Sequence, residues 1–438
     1  MVTKKIAIYQ LLCLLIVFGG CKTTTTTDLP RRPQVRVDLA GNQIKEKLYF
    51  AGFVATGFDE KTPEWSDRNL RYGQHIINLP YKGSNASRQR LQKFSKEIFR
   101  DFTHPEFNVA DLDQLAGHKP KAFVFAIDNE RVGIEGTEAN ATLTVDISGQ
   151  ILVFDWKDRL ILASYPLVFS AKDVYRHGVD LQKMMTDLYY VGWGANSMGF
   201  LEYFVEYLRS KVSLTWYEDG FSVNKVGIEN IELEARALPF LQLSNTTPRE
   251  YKQQFAQRFT DFLAKNQNLA LVPYGNPDAN GERKLSIVPG GSAMAGLFAD
   301  NSANELVIPK PDFPIDLTLR GFLEQEVSKS AVDKVIAYGA FAKVRVSSSD
   351  RRAIYFEDQF KKILTRHMPL NYNVSADARW RWLDGALLNL TDEITRNMKN
   401  PNSKWCNEQS SGSSTRRALQ ALYNNQLSTC LSPLPNKR

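Results

Sequence analysis

The sequence predicts an α+β fold of two tandem modules, each a mainly antiparallel sheet flanked by amphipathic helices. Three observations predict it. Several segments alternate apolar and polar residues with period two, the mark of a strand with one wet face. Others repeat apolar residues at helical spacing. The order of these segments in the first half of the chain then recurs in the second.

The chain opens on a leader. Lys4 and Lys5 precede a mostly apolar run, Ile6 to Phe18, of about 13 residues. A bilayer core needs roughly 20 helical residues, so the run suits the hydrophobic part of a secretory signal over residues 1–20. Val17-Phe18-Gly19-Gly20-Cys21 resembles the lipobox of bacterial lipoproteins, with Phe18 where leucine is usual. The resemblance implies cleavage before Cys21 and acylation of its sulfur and amine, palmitate being one such chain. It also implies, since Lys22 rather than Asp follows the cysteine, an outer-membrane anchor on the periplasmic face. Each buried CH₂ contributes about 0.8 kcal/mol and stable anchoring takes more than one chain, which a triacylated cysteine provides. Residues 21–44, with threonines 23–27 and then DLPRRP, offer little to bury and read as a flexible tether.

The first module is expected over 45–215. KLYFAGFVATGF is a strand. SRQRLQKFSKEIFRDF is a helix with Leu91, Phe94, Ile98 and Phe102 on one face. EFNVAD and KAFVFAID are strands. Residues 141–170 give two long strands turning at Trp156–Arg159, with Leu143, Val145 and Ile147 inward. Helices near 179–190 and 199–211 close the unit.

The second module is expected over 220–400. In 226–238, Ile231, Leu233, Ala235 and Ala237 alternate with charged residues as a strand. Thr247 caps the next helix, Pro248 suits its first turn and Glu250 completes a capping box. Tyr251, Phe255, Phe259, Phe262 and Leu263 share one face of it. LALVPY is a short strand. FPIDLTLRGF is another, with Ile315, Leu317 and Leu319 facing one way. A hairpin turns at Ser347–Arg351, and helices at 357–367 and 377–397, the latter capped by Asp377, finish the module. This element order is similar to the TolB N-terminal and CsgG-like α/β module, best over 226–368 and less well over 47–190. That resemblance implies an envelope lipoprotein of a kind most of whose members bind partners and catalyse nothing.

Residues 401–438 form a polar loop, a short helix near 415–424 and a tail. Cys13 leaves with the leader and Cys21 is the acylation site, so Cys406 and Cys430 remain as an even pair in an oxidising compartment. They are expected to bridge, closing a loop that would contribute roughly 3–4 kcal/mol.

The formal charge of +7 is scattered, with no block of five or six basic residues, so no nucleic-acid partner is expected. The hydrophobic content of 43% is enough for a real core. His75, His104, His118, His177 and His367 show no metal-ligand spacing and read as surface or helix-end residues. Gly192–Phe200 has the glycine spacing of a phosphate loop but Phe200 where lysine is needed, and reads as a helix connection. Val288–Gly296 reads as a turn. Asp155 and Asp158 sit in a hairpin turn, where aspartate bonds locally. Trp380, Leu383, Leu387 and Leu390 read as core. No cofactor, metal or catalytic residue is expected.

The functional expectation is a membrane-anchored, periplasm-facing assembly, scaffold or accessory binding protein for an envelope complex, with an envelope protein as partner and self-assembly open. The alternative is an envelope hydrolase acting on cell-wall glycan or peptide through dispersed residues. The anchor is tested by Cys21→Ser. The wild-type chain should incorporate labelled palmitate and fractionate with membranes, and the variant should do neither; a variant that still matures and pellets with membranes refutes the anchor.

Overall fold

The computed structural model describes residues 45–431, apart from 57–69, 80–83, 116–119, 138–139, 177, 194–197, 214–223, 245, 276–281, 291–304, 372–373 and 411. The leader, Cys21 and the tether lie outside the described residues. So do His118, His177 and parts of the Gly192–Phe200 and Val288–Gly296 stretches.

The fold is α+β, built on one mixed sheet of twelve strands. The first half of the chain supplies β1 (Glu46–Thr56), α1 (Asn85–Arg100), β2 (Phe107–Asp111), β3 (Lys121–Thr137), β4 (Asn140–Asp155) and β5 (Ile161–Tyr175). Helices α2 (Leu181–Tyr190) and α3 (Phe200–Lys211) follow. The second half supplies β6 (Val226–Leu233), α4 (Pro248–Gln267), β7 (Leu271–Val272), β8 (Lys284–Gly290) and β9 (Glu305–Val307). It continues with β10 (Phe313–Lys329), β11 (Asp333–Ser347), β12 (Ile354–Pro369) and α5 (Ala376–Asn397), then α6 (Ser403–Gln409) and α7 (Ser413–Asn425).

Strand pairing follows one plan twice. β2 and β3 flank β1 in parallel, and β4 and β5 continue from β3 antiparallel. β7 and β10 flank β6 in parallel, and β11 and β12 continue from β10 antiparallel. The two sets join through β7, whose Leu271 sits opposite Ser164 of β5. β8 and β9 depart from the plan. They extend the first set instead, β8 pairing antiparallel with the end of β1. β9 then reaches the β4–β5 turn, where Val307 bridges Leu160 and the Val307 amide donates to the Arg159 carbonyl at 2.9 Å. The sheet is therefore strongly curled there, consistent with the twist intrinsic to strands of L-residues.

Burial follows from this plan. Leu143, Val145 and Ile147 point as expected into a core shared with α1, α2 and α3. The opposite face of β1 and β3 is apolar too, and Tyr49, Val54, Val124, Leu152 and Phe154 fill the curl with Leu285 and Ile287 of β8. A third core joins Ile315, Leu317 and Leu319 of β10 to α4 and α5.

The local chemistry of α4 is as its sequence predicts. The Thr247 side chain accepts from the Glu250 amide at 3.2 Å and the Glu250 carboxylate accepts from the Thr247 amide at 2.8 Å. Such a cap satisfies amide donors that the first helical turn leaves over. Asp155 likewise accepts from the Lys157 and Asp158 amides in its turn.

Three expectations need correction. Residues 357–367 are not a helix but the middle of β12. Phe356 and Phe360 are both buried four apart, which mimics a helical face. Between them Asp358, and beyond them Lys362, are polar on the same inward face, because Thr415 donates to Asp358 and Lys362 pairs with Glu393. The alternation of β12 is thus hidden by satisfied polar side chains. The strand expected over 226–238 stops at Leu233, and a single helical turn, Leu238–Leu241, follows. The cap of α5 is Ser375, whose side chain accepts from the Ala378 amide, not Asp377.

Close packing of β4 on β3 and α3 gives a test. A Cβ on Gly149 would stand 2.6 Å from the Ala126 carbonyl oxygen and 2.8 Å from the Phe204 ring. Backbone cannot yield as a side-chain tip does, so Gly149→Ala is expected to destabilise the fold by about 1–3 kcal/mol. Denaturant unfolding reads the loss, and an unchanged midpoint would contradict the packing described.

Candidate functional site

Where β7 joins β5, the lane beside β5 is short of a partner. β7 contributes two residues, and Ser164 is the single β5 position paired with it. Among the described residues no strand continues beside β5 beyond that point. A cavity of about 570 Å³ opens there, within the range that small-ligand sites occupy. Pro166, Val168 and Ser170 of β5 line it, with Tyr203, Tyr207 and Lys211 of α3 on one side. Arg258, Asp261, Phe262 and Lys265 of α4 form another side.

The outward positions of β5 can be read from two contacts. Pro166 has no amide hydrogen, and its carbonyl accepts from the Tyr207 hydroxyl at 2.9 Å. Proline in a strand is tolerated where the missing donor faces away from the neighbouring strand. Alternate residues of an antiparallel strand present N–H and C=O to the same side. Val168 and Ser170 therefore direct theirs toward the lane, and both residues are exposed.

A polar layer crosses the seam beneath the cavity. Asp384 of α5 is fully buried and accepts from Arg131 of β3 at 2.5 Å and from Arg258 of α4 at 2.6 Å. The Tyr251 hydroxyl donates to it at 3.3 Å. Burial opposes its charge, but the two guanidinium groups prevail and hold its carboxyl below the ordinary carboxylate value. Both arginines at the cavity wall are thereby spoken for.

Asp261 is the contrasting group. It is buried, its Oδ1 accepts from the Gln257 side chain at 3.2 Å, and its Oδ2 has no partner among the described residues. Burial first, then the nearby Asp128 carboxyl, raise its pKa well above the ordinary carboxylate value. Asp128 itself accepts from Thr56 and, at 2.9 Å, from Gln150, which in turn accepts from Ser164 at 2.7 Å. Burial pushes the Asp128 carboxyl up to about 8.

The residues singled out from sequence fall elsewhere. Cys406 and Cys430 are both buried, Cys430 within the core around α5 and α7. Burial pushes the Cys430 thiol up to about 12 and raises Cys406 also. Leu419, Leu422 and Leu427 pack the C-terminal segment onto that core. Trp380, Leu383, Leu387 and Leu390 are core, as expected. His104 is buried rather than at the surface, its ring 3.8 Å from that of Phe107, and desolvation lowers its pKa to about 4.

Among the described residues no group of His, Cys, Asp or Glu is arranged to hold a metal ion, and no helix is long and apolar enough to cross a membrane. No family model matches the chain and no curated protein matches it. Among solved structures, a hypothetical protein of Chlamydia trachomatis is similar at 11% identity, over 41% of this chain and 96% of that one, with a TM-score of 0.23. A likeness at that score carries no inference about activity.

Sequence reasoning missed the seam. Arg131, Arg258, Asp261 and Asp384 are spread over 250 residues, and only helical spacing of the last three toward a buried face could have flagged them.

The buried carboxyls predict opposite responses. Asp384→Ala leaves two half-buried guanidinium groups without their shared carboxylate and should cost about 1–3 kcal/mol. For Asp128 the sign runs the other way. Its pKa is higher folded than unfolded, so its contribution is intact below about pH 4 and is lost as pH rises through about 8. Asp128→Asn retains an acceptor for Gln150 and should flatten the stability profile between those limits, raising Tm on the alkaline side. Thermal melts across pH decide it; parallel profiles for variant and wild type count against the assignment.

Proposed function

We propose that the chain is a lipid-anchored, periplasm-facing binding protein that serves as an assembly, scaffold or accessory factor of an envelope complex. The observation that carries this reading is the open lane beside β5, a walled sheet edge of the kind that receives partner segments. Cys21 supplies the anchor and residues 22–44 the reach. The repeated strand plan supports reading 45–215 and 220–400 as two modules of one kind, similar in element order to the TolB N-terminal and CsgG-like module. Residence in an oxidising compartment further implies a Cys406–Cys430 bridge, which thiol counting on the purified mature protein tests.

A second reading is favoured by one observation. Asp261 lines a cavity and burial raises its pKa well above the ordinary value, the direction a general acid needs. In that reading the protein hydrolyses cell-wall glycan or peptide.

Affinity capture from cross-linked, detergent-solubilised envelopes separates the two. A stoichiometric envelope partner is expected with the wild-type chain. Turnover of isolated sacculi or peptide, abolished by Asp261→Asn, with no partner recovered, would overturn the binding reading in favour of the hydrolase.

A further inference from the structure

We propose that the lane beside β5 binds an extended acidic segment of a partner protein, which adds to the sheet as a strand antiparallel or parallel to β5. This inference rests on the binding reading above and names the chemistry of what binds.

Three features of the lane lead there. The first is backbone. Among the described residues, Val168 and Ser170 carry unpaired donors and acceptors on the lane side, at the spacing of alternate strand residues. An exposed edge of this type is a template for another chain. Proteins usually blunt it with charge, as β12 does with Glu357, Lys361 and Arg366, all exposed along the far edge of the sheet. Beside the lane, β5 instead presents Pro166, Val168 and Ser170, and two helices rise to either side without filling the space between.

The second is charge. Four cations line the cavity, Arg131, Lys211, Arg258 and Lys265, against two carboxyl groups, Asp146 and Asp261. Asp384 absorbs both arginines. Asp146 is a charged carboxylate that accepts from Ser170 at 2.7 Å, and burial raises the Asp261 pKa well above the ordinary value. Lys211 and Lys265, both exposed, are left at the two helical walls as the cations available to an incoming chain. An entering strand with carboxylates on alternate residues meets them; a basic one is repelled.

The third is an orphaned polar atom. Asp261, only 4% exposed, is among the residues that line the cavity, and its Oδ2 is buried with no partner among the described residues. A buried polar atom left so costs about 1–3 kcal/mol. Oδ2 is an acceptor for a backbone amide of the added strand. Phe262 and Tyr203 offer apolar surface to the intervening side chains of such a strand.

The test uses the full mature chain in detergent and a fluorescein-labelled peptide, acetyl-Val-Glu-Val-Glu-Val-Glu-amide, read by anisotropy. Saturable binding at or below about 1 mM is expected. It should weaken at least tenfold when alternate amides of the peptide are N-methylated, when Lys replaces Glu in it, and in the Lys211→Glu/Lys265→Glu double variant. Val168→Pro, which removes one lane-side donor, should weaken it as well, with Tm checked so that a folding defect is not mistaken for a lost contact. No saturable binding, or equal affinity for the N-methylated peptide, overturns strand addition. Equal affinity for the Lys peptide overturns the acidic specificity. The envelope capture distinguishes the two levels. A partner recovered equally well by the Lys211→Glu/Lys265→Glu chain leaves the binding reading intact and refutes the lane as its site. Peptide binding without any envelope partner does the reverse.

Discussion

One carboxylate ties the two ends of the chain's architecture together. Asp384, on a helix near the C-terminus, takes one guanidinium from β3 and one from α4, and is closed to water. Moving a carboxylate out of water costs several kcal/mol unless partners replace the lost hydration. Two arginines and a tyrosine hydroxyl do so only when α4, α5 and β3 stand in one mutual register. The clamp therefore contributes specificity rather than a net gain in stability over a purely apolar contact. Sliding α4 along the sheet by one turn would leave charges buried and unpaired, while sliding an apolar surface would merely repack it. The same clamp withdraws Arg131 and Arg258 from the cavity beside them, so Lys211 and Lys265 define its electrostatics.

The second constraint is edge management. A twelve-stranded open sheet has two long edges at risk of pairing with other chains. At one end β8 and β9 leave the second half of the chain to pair with β1 and then turn back to Leu160, which leaves the short strands β2 and β9 at that edge. At the other end β12 is long but charged. The interior gap beside β5 is flanked by helices, and the next exposed residue in the same alternation along the strand is Lys172.

Much of this fold could be read from residue order. The capping box at Thr247 and Glu250, the alternation of Leu143, Val145 and Ile147, and the apolar face of α5 depend on neighbours within a few positions, and each is found where local chemistry puts it. β12 was illegible for a definite reason: Asp358 and Lys362 face inward, and the partners that make this tolerable, Thr415 and Glu393, lie 57 and 31 residues away. The cavity is illegible in the same manner. Asp146, Ser148 and Ser170 occupy the polar phase of a period-two pattern, which in sequence is indistinguishable from a face turned to solvent. Asp384 sits inside RWRWLDGALLNL, where its tryptophan and leucine neighbours announce a core and hide the single charge within it.

The lane exists because of where α4 stops. Its C-cap, Asn268, takes a left-handed conformation at φ 51°, which asparagine tolerates better than most residues. The chain reverses there and becomes strand only at Leu271. The two residues between are held by the C-terminal segment, Leu269 bridging Leu431 and the Ala270 amide donating to the Cys430 carbonyl at 2.7 Å. A helix one turn shorter would leave enough chain to run beside Pro166 and Val168 and complete the sheet. α4 instead continues to Gln267, whose side chain is anchored on the Thr395 carbonyl of α5. The packing that closes the second half of the chain is therefore the same packing that keeps the edge of the first half open.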